Sequence, residues 1–477
     1  MRFPMLMAAL AAALLSTAAV EAVSLAAKSA DAAAIEAEAT SGGARVIVEL
    51  AAPELDAAAE VSGRSDRAAD AAREKIVAAT LDGFVDRFFA GRNDRASVKR
   101  RALKKMRFAP LVAFVATREE LDRLAADPSV VAVHHDEWLT PNLTESVPLI
   151  GMPEAWKHGA RGAGTVVAVL DTGVQFNHPF FGNRVIGQAC FSSGGVVAPD
   201  EAVGFCPNGE PVDFGPRSGA DCPPAFDGCQ HGTHVAGIVA GRNSDPDKQP
   251  ASGVAPLAQL YAVQVFSGLL PGYTTSALTR DIIAALEHMY AERDRMPGGH
   301  ILAAINMSLG SRAVQRPCVN SPYRPIIRLL RRAGVATVVA NGNSFHPQAI
   351  GSPACVPEAI KVGSSTKTDF VSAYSDVAPF MDLFAPGTDI LSSVPGNLYE
   401  VLSGTSMAAP TVAGAFAALR SAVPEASVDD ILKALTDTGK PVTDRRLRGT
   451  VTKPRIQVAE ALRALEARNS NLVASPA

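Results

Sequence analysis

The sequence predicts an α/β fold in which a parallel sheet is flanked by helices. Residues 166–170 and 337–340 are short, almost wholly apolar runs of the kind that forms strands buried on both faces of a parallel sheet. Each run ends in polar residues, and small-residue helical patterns, such as the alanine-rich residues 408–418, complete the alternation of strands and helices. A chain of 477 residues has room for two or three domains, so a smaller unit is expected beside this sheet.

The N-terminal third predicts that smaller unit, an α+β module of ferredoxin-like type over residues 44–146. Thr117, with Glu120 three residues later, predicts a capping box at the start of its second helix. The order strand-helix-strand-helix-strand is typical of a sheet covered by helices on one side. The expected elements are strands at residues 45–50, 111–116 and 130–133, with helices at residues 66–89 and 118–126.

Both ends of the chain are expected to lie outside the folded units. Residues 1–22 have the pattern of a secretory signal peptide, in which Arg2 precedes an apolar run and small residues follow. A retained membrane anchor is the alternative, although the run is short for a bilayer span of about 20 residues. We predict a flexible alanine-rich linker over residues 23–43 and a disordered tail over residues 469–477.

A serine at the start of the alanine-rich helix is the first candidate for chemistry. Ser406 lies between the turn at Gly404 and residues 408–418. A side chain in the first turn of a helix is surrounded by unsatisfied backbone N–H groups, which can stabilise an oxyanion. Serine is also a favoured N-cap residue, so this position alone does not establish a nucleophile.

Two further segments supply the groups that a serine nucleophile needs. Asp171 ends the apolar run 166–170 and is therefore expected at the carboxyl edge of the sheet. His231 opens a second small-residue helix. Histidine titrates near neutrality and can take the proton of a serine hydroxyl, while a buried carboxylate fixes its tautomer.

These segments carry a resemblance to the subtilisin-like serine endopeptidases, the subtilase family. The matching motifs are residues 169–174, 231–237 and 404–410, in the order Asp, His, Ser. The resemblance implies a catalytic domain over residues 147–468, with a subtilisin-like parallel sheet. It assigns Asp171 as the orienting carboxylate, His231 as general base and then acid, and Ser406 as the nucleophile. It assigns structural roles to His178 and His234.

The same resemblance places an oxyanion donor after the strand pattern at residues 337–340. Asn343 would donate its side-chain amide to the oxyanion of the tetrahedral intermediate. Asn341 departs from the alanine or glycine that is usual in the family at this position. We therefore expect an unusual wall in the neighbouring pocket.

Substrate binding is expected along a strand that ends in Ser-Leu-Gly. In the family, this segment pairs its backbone with an extended substrate, which favours broad specificity because main-chain pairing ignores side chains. No acidic cluster lines the pocket in sequence, so an apolar or mixed preference is expected over a strictly basic one. The substrate-binding residues implied are Ser308, Leu309, Gly310, Ala340, Asn341 and Gly342.

The N-terminal module resembles the family's inhibitory propeptide, most closely at residues 124–136. Such a propeptide folds beside the catalytic domain and lays its C-terminal tail through the active site. The tail would be residues 137–146, with self-cleavage within it. A permanent accessory domain is the alternative interpretation.

The six cysteines all follow the N-terminal module and predict disulfides. An even count in an exported chain favours bridges over free thiols. We expect Cys318 to pair with Cys355, and the other four to pair among themselves. A zinc site is the competing interpretation, but the sequence has no CxxC pair. The remaining candidates are Cys190, Cys206, Cys222 and Cys229.

Together these features predict a secreted, extracellular or periplasmic, self-processing serine endopeptidase. Two alternatives stay open. One is a catalytically silent subtilase fold that acts as a binding protein, and the other is a dedicated maturation protease for one partner, for which the cysteine-rich insertion is the one hint.

The partners and cofactors expected follow from the same features. A formal net charge of −3 with mixed signs gives no reason to expect nucleic acid. We expect protein or peptide substrates, the chain's own propeptide as intramolecular inhibitor, no stable membrane association and a monomer. The chemistry requires no cofactor. Structural calcium is common in the family, but no ligand set can be identified, and we assign no metal ligand.

Overall fold

A computed structural model describes most of the chain in two units, an N-terminal unit (residues 24–136) and a C-terminal unit (residues 147–473). The predicted signal peptide, residues 1–22, lies outside the described residues, as do residues 474–477. The described ranges are residues 24–29, 31–40, 42–55, 67–89, 103–136, 138–141, 147–197, 200–243, 252–446 and 451–473.

The N-terminal unit is an antiparallel four-stranded sheet with two longer helices. Its strands lie in the order β2-β3-β1-β4, the arrangement of a β-α-β-β-α-β module. The predicted capping box is confirmed, because Thr117 accepts from the backbone N–H of Glu120 and Glu120 accepts from that of Thr117. The elements are α1 Ala32–Ala39, β1 Ala44–Leu50, α2 Arg67–Phe88, β2 Lys104–Lys105, β3 Leu111–Ala116, α3 Arg118–Ala126 and β4 Val130–His135.

The prediction of a flexible linker over residues 23–43 is wrong for most of that segment. Residues Leu25–Ala27 form a 3-10 turn and α1 packs on β1. Ile35 of α1 is fully buried, and Glu38 forms an ion pair with Arg45 of β1. Alanine is a strong helix former, and this short helix is docked by its buried isoleucine and by ion pairs of Glu36 with Arg118 and of Glu38 with Arg45.

The C-terminal unit is built on a ten-stranded sheet in the order β10-β7-β11-β6-β14-β17-β19-β20-β24-β23. The eight inner strands are parallel, as predicted, and the two outermost strands are antiparallel to their neighbours. The strands from residue 138 onward are β5 Trp138–Pro141, β6 Thr165–Asp171, β7 Val185–Phe191, β8 Gly195–Val197, β9 Asp200–Gly204, β10 Val212–Asp213, β11 Gln259–Gln264, β12 Ser267–Leu270, β13 Thr274–Leu278, β14 Ile301–Met307, β15 Leu309–Gly310, β16 Ala313–Val314, β17 Ala336–Ala340, β18 Ile350–Gly351, β19 Ile360–Ser365, β20 Leu383–Pro386, β21 Ile390–Val394, β22 Leu398–Leu402, β23 Lys440–Asp444 and β24 Val451–Arg455.

Helices cover both faces of this sheet and bury two separate apolar cores. One face carries α5 and α8, whose small side chains let the helices approach the strands closely. The other face carries α6 and α7, and the sheet of the N-terminal unit packs there through residues such as Phe108 and Leu111. The helices are α4 Met152–Lys157, α5 His231–Ala240, α6 Thr279–Glu292, α7 Arg324–Arg332, α8 Thr405–Ala422, α9 Val428–Asp437 and α10 Val458–Val473.

The last helix corrects the predicted C-terminal tail. A disordered segment was predicted from residue 469, but α10 continues through Val473. Asn469 lies within this helix and its side-chain amide contacts Glu425.

Three disulfides cross-link the C-terminal unit. Cys318 pairs with Cys355, as predicted, and the other four cysteines pair among themselves as Cys190–Cys206 and Cys222–Cys229. The first of these anchors the hairpin of β8 and β9. That hairpin extends a second, six-stranded sheet in the order β15-β5-β13-β12-β9-β8.

Polar groups of α6 hold the N-terminal unit in place. Glu287 is almost fully buried and accepts from the backbone N–H groups of Phe108 at 2.6 Å, Ala109 at 2.9 Å and Arg107. Burial raises the pKa of Glu287 to about 7, although these N–H donors oppose the shift. Lys104 forms an ion pair with Asp281 at 2.6 Å.

A second buried ion pair lies at the start of α6. Asp136, directly after β4, accepts from the backbone N–H of Arg280 at 3.2 Å and pairs with its guanidinium. Burial raises the pKa of Asp136 above its ordinary value, although the positive charge of Arg280 opposes this shift. The N-terminal unit is therefore docked on α6 at the first turn of that helix and near its middle.

Candidate active site

The predicted site residues meet at the carboxyl edge of the ten-stranded sheet. Asp171 is the last residue of β6, Ser308 follows β14, and Asn341 follows β17. His231 is the first residue of α5 and Ser406 the second residue of α8, and these two helices pack against each other. A parallel sheet brings these chain-distant residues to one edge because its strands all end on the same side.

Asp171 and His231 form a buried hydrogen-bonded pair. Nδ1 of His231 lies 2.6 Å from Oδ1 of Asp171, and the exposed fractions of the two side chains are 2% and 0%. The same carboxylate oxygen accepts from the backbone N–H of Thr172 at 2.8 Å. With the Nδ1 proton donated to the carboxylate, Nε2 of the neutral imidazole is the nitrogen able to accept a proton.

Thr172 links the two segments that carry this pair. Its hydroxyl donates to the backbone carbonyl of Cys229 at 3.4 Å and accepts from the N–H of Gly232 at 3.0 Å. Its carbonyl accepts from the N–H of Cys222 at 3.0 Å. Both ends of the Cys222–Cys229 loop therefore contact Thr172, which follows Asp171 directly. The loop itself ends two residues before His231.

Ser406 stands in the first turn of α8 on a network of hydroxyl groups. Its Oγ donates to the carbonyl oxygen of Ser308 at 3.1 Å, and the hydroxyl of Ser308 donates in turn to the carbonyl of Ser406. Asn306 Nδ2 donates to the Ser308 hydroxyl at 2.9 Å. These contacts fix the end of β14 directly against the start of α8.

Asn343 is oriented by the residue that precedes the serine. Its side-chain oxygen accepts from the backbone N–H of Thr405 at 2.8 Å and from the Thr405 hydroxyl at 2.9 Å. The Thr405 hydroxyl also accepts from the N–H of Gly342 at 3.1 Å. Because its oxygen is engaged by two donors, the amide Nδ2 of Asn343 is the group left to donate elsewhere.

The expected substrate-binding residues lie next to each other, but Asn341 is directed away from them. A methyl group on Gly310 would lie 3.9 Å from the carbonyl oxygen of Ala340, so the ends of β15 and β17 are adjacent. The Asn341 side chain is fully buried, and its Nδ2 lies 3.4 Å from the carbonyl oxygen of Asp376 and 3.6 Å from the sulfur of Met381. The Asn341 amide thus contacts Asp376 and Met381, and it does not face the other expected substrate-binding residues. The side chain therefore gives no sign of the unusual pocket wall that we expected.

A short strand of the chain itself lies in the cleft between β13 and β15. Strand β5 is antiparallel to both, with Leu139 opposite Ala277, Thr140 opposite Gly310 and Pro141 opposite Leu309. The predicted substrate-pairing segment therefore pairs with the predicted tail. The direction of β5 leads toward Ser308, whose carbonyl contacts the Ser406 hydroxyl.

The other two histidines near the site make structural contacts. Nε2 of His234 lies 3.1 Å and 3.0 Å from the carbonyl oxygens of Ile390 and Glu400, so this nitrogen carries the proton. Burial lowers the pKa of His234 to about 3, so this ring stays neutral. His178 contacts the carbonyl of Leu398 and the N–H of Phe180, and burial lowers its pKa too.

The described part of the chain has neither a metal-binding group of side chains nor a helix that could span a membrane. Its His, Cys, Asp and Glu side chains form no group of three or more that could hold a metal ion. Across the same residues, every helix is too short or too polar to span a lipid bilayer.

Several contributing residues had no signal of their own in the sequence. Thr172, Asn306 and Thr405 act through hydrogen bonds to chain-distant residues, and threonine or asparagine at such positions is compatible with many local structures. Asp376, which contacts the loop on both sides of Asn343, was also missed. A search for polar residues in otherwise apolar strand ends would have suggested Asn306 alone.

The chain is similar to known proteins over more than half of its length. The model of the subtilase family matches residues 162–454, more than half of the chain. An alkaline protease of Shouchella clausii is 29% identical over 362 residues, which cover 75% of this chain and 81% of that protein. Subtilisin NAT of Bacillus subtilis subsp. natto is 30% identical over 328 residues, 67% of this chain and 73% of that protein.

A third relative is much longer than this chain. Bacillopeptidase F of Bacillus subtilis (strain 168) is 32% identical over 336 residues, which cover 67% of this chain but 21% of that protein. The residues matched by the family model all lie within the C-terminal unit. The chain therefore belongs to the subtilase family and is a serine endopeptidase.

Proposed function

We propose that this protein is a secreted, self-processing endopeptidase that uses Asp171, His231 and Ser406 as its catalytic triad. The observation that carries the proposal is the 2.6 Å contact between Asp171 and His231 at the start of a helix that packs on the helix of Ser406. The alternative of a silent binding protein has no supporting observation, because each group that the chemistry needs is present at one sheet edge.

The proposed reaction follows serine protease chemistry. The Ser406 hydroxyl turns from the Ser308 carbonyl toward the substrate, gives its proton to Nε2 of His231, and Oγ attacks the scissile carbonyl carbon. The imidazolium is stabilised by Asp171 and then gives its proton to the leaving amine. Water, activated by the same imidazole, hydrolyses the acyl-enzyme and restores the serine.

The oxyanion of the tetrahedral intermediate is assigned to Asn343. Its oxygen is held by Thr405, which leaves Nδ2 as a preorganised donor. Backbone N–H groups in the first turn of α8 add positive potential at the same place. Loss of one such donor lowers transition-state stabilisation by about 3 kcal/mol, a magnitude measured on a subtilisin.

Broad specificity and self-processing are proposed from strand β5. It adds to two strands through main-chain pairing, a mode of recognition that accepts many side chains. Because the segment that occupies the cleft belongs to the same chain, the N-terminal unit is proposed to act as an inhibitory propeptide. We place self-cleavage after Pro141 and before Val147. An apolar or mixed preference is proposed, with protein and peptide substrates.

Product sequencing tests this function directly. The purified chain is incubated with an unstructured protein, and both the peptides produced and the chain's own new N-terminus are sequenced. We expect many cleavage sites and a new N-terminus between residues 142 and 147. Ser406→Ala, as the matched control, should show neither. Normal maturation of that variant, or cleavage of one sequence alone, would contradict the mechanism or the broad specificity, respectively.

A further inference from the structure

Asp376 contacts both peptide groups that flank Asn343. Its backbone N–H donates to the carbonyl oxygen of Gly342 at 2.9 Å. Its Oδ1 accepts from the N–H of Ser344 at 3.0 Å and from the N–H of His346 at 2.8 Å. One residue, 30 or more positions away in the sequence, thus holds the loop immediately before and immediately after Asn343.

The second carboxylate oxygen of Asp376 fills the space beside Gly342. A β-carbon on Gly342 would lie 2.4 Å from Oδ2, and Gly342 has a φ of +114°. Glycine at 342 therefore lets the carboxylate approach the backbone. Asp376 itself is almost fully buried, with an exposed fraction of 1%. A buried carboxylate is expensive to maintain unless donors are directed at it, and here the donors are the N–H groups of the loop.

Asn341 and Thr405 complete the support from the other sides. Asn341 Nδ2 points to the carbonyl oxygen of Asp376, and Thr405 binds both the side chain of Asn343 and the N–H of Gly342. Asn343 is thereby fixed through its side-chain oxygen on one side and through its two peptide groups on the other. Preorganised donors are effective because they need no reorientation when charge develops.

We infer that Asp376 is a positioning residue for the oxyanion donor Asn343, and so affects turnover without touching the substrate. This inference rests on the proposed role of Asn343. Displacement of a catalytic group by about 1 Å lowers rates by up to roughly a hundredfold, so loss of Asp376 is expected to lower kcat by roughly tenfold to a hundredfold. KM should change little, because the interaction is needed in the transition state only.

A double-mutant cycle tests this coupling. The variants are Asp376→Ala, Asn343→Ala and the double variant, each made in the full chain and processed by affinity-tagged wild-type enzyme that is removed before the assay, so that all are compared in the same processed form. Active enzyme is counted by fluorophosphonate titration, and kcat and KM are measured with a short chromogenic peptide. We expect Asp376→Ala to lower kcat strongly in the Asn343 background and hardly at all when Asn343 is already alanine.

Three further variants separate positioning from general structural damage. Asp382→Ala is the matched control, because Asp382 also accepts a backbone N–H, that of Lys361 at 2.9 Å. This contact lies at the N-terminal end of β19, whereas the loop of Asn343 lies at the carboxyl edge of the sheet. It should leave kcat unchanged. Asp376→Asn keeps an acceptor and should retain most of the activity. Asp376→Glu keeps the charge, but its longer side chain extends toward Gly342. If Asp376→Ala does not fold, the double-mutant cycle is carried out with Asp376→Glu in its place.

The outcomes distinguish the two claims. If Asn343→Ala leaves kcat unchanged, the proposed oxyanion role fails. If Asn343→Ala lowers kcat, but the Asp376 change lowers it by the same factor in both backgrounds, the positioning inference is overturned. Equal losses in Asp376→Asn and Asp376→Ala would also overturn it, as would a kcat loss in Asp382→Ala of the same size.

Discussion

The N-terminal and C-terminal units differ in what holds them together. All six cysteines belong to the C-terminal unit, where they form three disulfides, and the Cys222–Cys229 loop contacts Thr172 beside Asp171. Residues 44–136 contain no cysteine, and their sheet is docked on α6 by the buried carboxylates Glu287 and Asp136 and by the Lys104–Asp281 pair. One unit is cross-linked covalently, and the other is attached by apolar contacts together with groups that titrate.

This difference fits units with different lifetimes. After the proposed release of the N-terminal unit, the three disulfides would still cross-link the catalytic unit. An interface of buried charges is sensitive to pH and to the loss of any one partner. The molecule thus combines a disulfide-linked catalytic unit with an N-terminal unit that no disulfide attaches to it within the described residues.

The largest expected effect concerns the chemistry of the C-terminal unit. Asp171→Asn keeps the size of the side chain but favours the wrong imidazole tautomer of His231. We expect kcat to fall by about ten-thousandfold, while the fold of both units persists. Steady-state kinetics with circular dichroism measure both. If kcat of Asp171→Asn stayed within tenfold of the wild-type value, Asp171 would not have the proposed catalytic role.

Removal of a disulfide should destabilise the C-terminal unit alone. Cys318→Ala with Cys355→Ala opens a loop of 37 residues and is expected to lower the free energy of unfolding by about 4 kcal/mol. The matched pair Cys222→Ala with Cys229→Ala, with a separation of 7, should lose about 2 kcal/mol. Calorimetry in a Ser406→Ala background, which prevents self-digestion, measures both. If either disulfide variant lowered the unfolding temperature of the N-terminal unit more than that of the C-terminal unit, the two units would not be independent.

The attachment of the N-terminal unit should weaken as pH rises. In the assembled chain burial raises the pKa of Glu287 from its ordinary 4.5 to about 7. Protonation therefore favours assembly. Its contribution is complete below about pH 4.5 and is lost as pH rises through about 7, a difference of about 3 kcal/mol. Asp136, whose pKa is also raised, acts in the same direction.

Limited proteolysis of the Ser406→Ala precursor at pH 5 and pH 9 measures this effect. We expect the N-terminal unit to become susceptible at a lower temperature at pH 9. Glu287→Gln cannot ionise and should reduce the difference between the two pH values. A difference that is unchanged in this variant would show that Glu287 does not set it.

The smallest effect compares two equivalent helix caps. Thr117 caps α3 in the N-terminal unit, and Ser427 caps α9 in the C-terminal unit, each in a capping box. Replacement of either by alanine should lower the stability of its own unit by about 1 kcal/mol. Thermal unfolding followed by proteolysis of each unit reports which transition moves. If Thr117→Ala shifted the C-terminal transition equally, the two units would unfold as one.

Local patterns predicted much of the fold and the identity of the reacting groups. The apolar run that ends at Asp171 and the capping box at Thr117 are determined by neighbours in sequence, and both were confirmed. The pairing of Cys318 with Cys355 was also predicted. Pattern alone failed at residues 32–39, because the helix there depends on the burial of Ile35 against a strand.

Contacts between distant segments were beyond prediction from sequence. The acceptance of three backbone N–H groups by Glu287 joins residues about 180 positions apart. The orientation of Asn343 depends on Thr405, 62 positions later, and its support by Asp376 depends on how two loops pack. Such contacts are products of the tertiary fold, in which local propensity has no part.

Mass mapping of a serine-reactive probe tests the central claim most directly. The processed enzyme is treated with a fluorophosphonate and digested, and the modified residue is identified. His231→Ala, processed by tagged wild-type enzyme that is then removed, is the matched variant. The account predicts a single adduct on Ser406 that forms rapidly in the wild type and is nearly lost in His231→Ala. An adduct on another residue, or equal labelling of Ser406 without His231, would contradict it.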